Sequence, residues 1–151
     1  HVSMTLGAQG PYIVAYPGPG QLYDALEQAV AELEARTIDV ALLGGVAHQS
    51  NFLVRHHLGR TDDPAVGARD AAGVMVLERA EDAGARAMLR LASMSVDYRA
   101  FDPLHETPRR HESFAAELGP ATLPVALAEG HRTHRVETRD GLVCESTWGE
   151  P

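Results

Sequence analysis

Apolar positions recur at three- and four-residue spacings from Leu22 to Leu33, through Ala25, Leu26, Ala29 and Val30. That spacing puts them on one face of an amphipathic helix, with Glu27, Glu32 and Glu34 mostly opposite. Ahead of it, Tyr12-Ile13-Val14-Ala15-Tyr16 is a short apolar run between Gly10-Pro11 and Pro17-Gly18-Pro19-Gly20. This predicts a buried strand entering a tight turn. Gly18 suits the N-cap, and Pro19 suits the first helical position, where its missing N–H is harmless. Beyond the helix, Asp39-Val40-Ala41-Leu42-Leu43 predicts a second strand, stopped by Gly44-Gly45. Strand, helix and strand with short joins form a βαβ unit, whose crossover is expected to be right-handed.

The rest of the chain reads less regularly. A short helix is expected over 51–57 and a loop over 59–69, with Asp62-Asp63-Pro64 as a turn. Ala72-Gly73-Val74-Met75-Val76-Leu77 predicts another buried strand, and 81–86 a short turn or helix. Over 87–98 apolar residues alternate in imperfect register, which predicts a long strand. Polar, proline-bearing sequence follows over 101–110. Helices are expected over 112–118 and 121–127, the second weakened by Pro124. The stretches 133–138 and 142–147 alternate around Arg139-Asp140-Gly141, a β-hairpin signal. No internal repeat, low-complexity stretch or interdomain linker interrupts 1–151, which reads as a single domain.

Composition narrows the class. With 44% hydrophobic and 23% charged residues, the chain has globular proportions. Aromatics are only 5%, so the core is expected to be small and aliphatic, as in layered α/β folds. A net charge of -8 repels phosphate backbones and argues against nucleic-acid binding. Cys144 is the single cysteine, so a disulfide framework is excluded and a reducing, cytoplasmic setting is expected. No apolar run approaches the roughly 18 residues that a membrane span needs. The chain opens on His1, which suits a processed product or one piece of a longer precursor.

Three motifs in order then resemble one family. Leu6-Gly7-Ala8-Gln9-Gly10-Pro11 is similar to the glycine-proline approach to the nucleophile strand of β-ketoacyl synthases. Leu42-Leu43-Gly44-Gly45 is similar to that family's strand ending in paired glycines. Asp70-Ala71-Ala72-Gly73-Val74-Met75-Val76-Leu77-Glu78, with the alanine-rich run to Ala87, resembles the segment that follows it. Residues 1–87 thus resemble part of the N-terminal half. Residues 88–151 weakly resemble a shortened C-terminal part, with Gly119-Pro120-Ala121 to Ala128 and the final hairpin standing for the closing helix and strands. The resemblance implies a partial thiolase-like, layered α/β fold.

The resemblance also implies a loss of chemistry. Counted back from Gly44-Gly45, Pro19 stands where the family has its catalytic cysteine. Proline has no thiol, so no acyl-thioester forms there. In the family that cysteine's own N–H is an oxyanion donor, and proline lacks it; losing one such donor slows a reaction by about 10²–10³. Neither of the family's two histidine motifs occurs among the eight histidines.

Other candidates carry less. Gly18-Pro19-Gly20 at a helix start has the form of a phosphate cradle or of an ordinary turn in an unrelated βαβ protein. His131 and His134 have a metal-site spacing but no cysteine or acidic partner motif, so surface histidines are the simpler reading. Cys144, in an alternating strand, reads as a buried small hydrophobe. Arg55, His56, His57 and Arg60 form a basic cluster, read as a solvated face or as a contact for an acidic carrier protein.

The resulting expectation is a noncatalytic ketosynthase-like subunit, similar in role to a chain-length factor of type II polyketide or fatty-acid assembly, with no cofactor and no metal. Its partner would be an active ketosynthase or the remainder of its own precursor, and an acyl carrier protein would be met through that partner. Tyr12, Val14, Tyr16, Pro19 and Leu22 are the tunnel or interface candidates. Two alternatives stand beside it. One is a small enzyme performing acyl-carrier dehydration or hydrolysis, using a histidine with Asp102, Glu106 or Glu112. The other is an assembly scaffold.

Overall fold

A computed structural model describes residues 5, 7–14, 20–48, 50, 69–99, 118–137 and 141–151. Helix α1 spans Gln21–Glu34, and strand β1 (Val40–Ala47) pairs antiparallel with β2 (Ala71–Glu78) as a two-stranded sheet. A short helix α2 (Ala80–Ala83) and a 3₁₀ turn lead to β3 (Arg90–Tyr98). A 3₁₀ turn at Gly119–Ala121 feeds helix α3 (Thr122–Ala128), and β4 (Thr133–Glu137) and β5 (Leu142–Gly149) follow. The second sheet is antiparallel with order β3-β5-β4. The described residues therefore form a small mixed α/β fold with two sheets and three helices.

Helix α1 buries the face that its spacing predicts. Leu22, Leu26 and Leu33 are buried, and so is Tyr23, which the apolar spacing alone did not single out. Its tail closes with the Arg36 N–H donating to the Leu33 carbonyl and the Thr37 N–H to the Glu32 carbonyl. This is a Schellman turn, with Arg36 taking the left-handed position usually held by glycine (φ 56°). Helix α3 ends in the same way around Gly130 (φ 91°). Pro124 falls in the first turn of α3, where N–H groups have no intrahelical partner, so the helix forms despite it. The core joins α1 to both sheets: Leu22, Tyr23 and Leu26 cluster with Leu43, Leu123, Val136, Cys144 and Trp148.

Several expectations change. Residues 12–14 are not a strand and are exposed, Tyr12 by 77% and Val14 by 74%. The βαβ unit is therefore not seen, and β1 takes an antiparallel neighbour instead of closing a parallel crossover. Gly44-Gly45 do not stop β1: both pair with β2, opposite Val74 and Gly73. Their value is space, since a Cβ on Gly45 would run into the Pro120 backbone, and one on Gly73 would come within 2.7 Å of the Pro124 ring. Strand β2 is only half buried, because alternate residues face outward. The cap of α1 is Gly20, so the helix begins two residues later than a Pro19 start would give. The imperfect register of 87–98 corresponds to an irregularity between Leu91 and Ser93 in the β3–β5 ladder. The helix expected over 51–57, the loop and turn up to residue 68, the basic cluster at Arg55–Arg60 and the segments 101–110 and 112–117 lie outside the described residues.

Candidate functional site

A cleft of about 300 Å³ opens where α1 begins. One bank is Leu42 to Val46 of β1, at an edge that carries no other strand among the described residues. The facing bank is Gln21, Leu22 and Ala25 of α1, with Ile13, Val14 and Pro120 completing the lining. Among the described residues every lining side chain but Gln21 is apolar or glycine, and none is titratable. Of the sequence candidates, the structure brings Val14 and Leu22 together here. Tyr12 is exposed and is not part of the lining, while Tyr16 and Pro19 lie outside the described residues.

A buried polar chain lies on the other side of α1. The Tyr23 hydroxyl is 2.8 Å from His134 Nδ1, 3.1 Å from the His134 carbonyl and 2.9 Å from Ser146 Oγ. Trp148 Nε1–H donates to the same serine at 3.0 Å. An indole can only donate, so Ser146 accepts from Trp148, and its hydroxyl shares a further hydrogen bond with the Tyr23 hydroxyl. Tyr23 donates to the His134 carbonyl and shares a hydrogen bond with His134 Nδ1. The Nε2 of that imidazole is buried with no hydrogen-bond partner among the described residues. Burial pushes the Tyr23 hydroxyl up to about 12. Burial, with His131 adding repulsion, pulls His134 down to about 4. Both groups are therefore neutral at pH 7, and the chain acts as a polar lock between α1 and the second sheet. The sequence reading placed His134 on the surface; the β4 alternation turns it inward instead, because Thr133 and Arg135 take the outer face.

Cys144 is fully buried on β5, as its alternating context predicts. Burial raises its thiol to about 11, which keeps it protonated and unreactive. A second polar cluster ties the ends of β1 and β2. Asp70 accepts from the Ser50 N–H at 3.0 Å and the Ser50 hydroxyl at 2.8 Å, and it contacts His48 Nδ1 at 3.1 Å. The Ser50 donors, with smaller help from His48, pull Asp70 down to about 2. Serine and histidine both address the carboxylate, and the trio ties the strand ends together. The sequence reading missed this cluster because its members are 20 and 22 residues apart with no motif between them. The acid/base candidates Asp102, Glu106 and Glu112 lie outside the described residues.

Among the described residues no group of three metal-ligating side chains comes together, and no helix is long and apolar enough to cross a membrane. Comparison with protein-family models, with curated proteins and with solved structures finds no match.

Proposed function

We propose that this chain is a noncatalytic, ketosynthase-like subunit with a partial thiolase-like layering, similar in role to a chain-length factor. One observation carries the reading: the cleft at the start of α1 is lined by apolar side chains, Val14 and Leu22 among them, with no nucleophile or titratable side chain among the described residues of the lining. Such a lining suits an aliphatic chain. The sequence supports the same reading, because the position matching the family cysteine is Pro19 and the single cysteine, Cys144, is a buried core residue with a raised pKa. In this reading an active ketosynthase chain supplies the cysteine and histidines, and this chain shapes the space that the growing acyl group enters. Co-expression with an active ketosynthase subunit and purification through a tag on this chain tests it. A stable complex that elongates acyl chains is expected. A chain that purifies alone and turns over by itself overturns the proposal.

A further inference from the structure

Strand β3 lies at one edge of the three-stranded sheet, with β5 on one side and no strand on the other among the described residues. Leu91, Met94 and Val96 sit opposite Trp148, Ser146 and Cys144 of β5, which are buried, so they face the core. Arg90, Ser93, Ser95 and Asp97 face outward, and Ala92, where the register shifts, has no partner on β5. The core-facing side chains of β3 are only half-buried, whereas His134 and Val136 on the opposite edge strand are buried. The two edges also differ in charge. On β4, Arg135 pairs with Glu145 at 2.6 Å and with Glu137 at 3.3 Å. On β3, Arg90 and Asp97 have no ion pair among the described residues. Seven positions apart on one strand, they lie roughly 23 Å from each other, too far to meet. An open edge of nine residues is a template for another strand.

We propose that β3 pairs antiparallel with β3 of a second copy about a two-fold axis at Met94, joining two three-stranded sheets into one continuous sheet. The strand is self-complementary in that register. Ser93 faces Ser95 of the second copy. With Ala92 again outside the register, Leu91 faces Val96 and Arg90 faces Asp97, each pair occurring twice by symmetry. Both members of each pair lie on the same face, so opposite charges meet on the outer side and apolar side chains meet on the core side. A slip of one residue sets Arg90 against Val96 or Tyr98 and undoes both matches, so the register is specified. The same register brings Tyr98, 71% exposed, opposite Leu89 and beside Met88, 87% exposed, giving two bare apolar side chains a neighbour. Main-chain hydrogen bonds supply the affinity of such an edge pairing, and the two ion pairs set its direction and partner.

Sedimentation equilibrium of the purified full chain, over about 1–100 μM, tests this. Wild-type protein is expected to form a reversible dimer of twice 16.2 kDa. Arg90→Asp sets two carboxylates face to face at each end of the pairing, and Asp97→Arg sets two guanidinium groups there. Each is expected to raise the dissociation constant by about tenfold or more. The double variant Arg90→Asp with Asp97→Arg exchanges the charges and is expected to return it to within about threefold of wild type. Both side chains are exposed, and circular dichroism checks that each variant keeps its fold. Neither residue lines the cleft, so these variants probe the edge apart from the proposed function. A wild-type chain that stays monomeric throughout overturns the proposal. So does a dimer whose dissociation constant is unchanged in both single variants, or a folded double variant that associates no better than they do.

Discussion

Tyr23 is fully buried and carries a hydroxyl that reaches His134 and Ser146. Truncating it to phenylalanine keeps the ring and strands two buried groups, which is the expensive way to lose a hydrogen bond. Tyr23→Phe is expected to lower stability by about 1–3 kcal/mol in urea unfolding. The same cluster gives a pH dependence. His134 is held near 4, below its ordinary 6.5, so between those values the unfolded chain binds the proton that the folded chain refuses. This contribution is fully present above about pH 6.5 and is lost as pH falls towards about 4, amounting to about 3 kcal/mol. Unfolding curves at about pH 7.5 and about pH 4.5 measure it, and a His134→Asn variant is expected to lose this dependence. Asp70 titrates lower, near about 2, and its contribution goes only as pH falls towards that value.

Among the elements, the glycines of the two-stranded sheet show what sequence could and could not reveal. Paired glycines after an apolar run read as a stop, because glycine weakens a strand. Here they are ladder residues, and the reason lies some 75 residues away, in the Pro120 backbone that rests on Gly45. Gly45→Ala is expected to cost about 1–3 kcal/mol by thermal unfolding, since backbone cannot step aside as a flexible side chain can. Gly44→Ala is expected to stay within about 0.5 kcal/mol. Helix α1, α3 and the closing hairpin were legible because their signals are local: a 3.6-residue period, an alternation, an Asp-Gly turn. The absence of a strand at 12–14 was not, because a short apolar run looks alike whether it is buried or exposed. Of the candidate site, Leu22 and Val14 were legible as apolar positions beside the helix start. The polar chain from Trp148 to His134 was not, since it joins residues more than 100 positions apart and only tertiary folding brings them together.

The whole molecule divides around α1. On one side a polar lock with every pKa shifted towards the neutral form fixes the helix to the second sheet. On the other, an apolar cleft and an apolar sheet face are left open. Among the described residues the side chains lining the cleft are apolar but for Gln21, and the proposed shaping role rests on that lining. The most direct measurement is the product-length distribution, by mass spectrometry, of an active ketosynthase subunit purified with this chain. Val14→Phe adds bulk at an exposed lining position of the cleft, and the account predicts an intact complex that still elongates but releases shorter acyl chains. An unchanged length distribution from that complex, or elongation by this chain with no ketosynthase present, would contradict it.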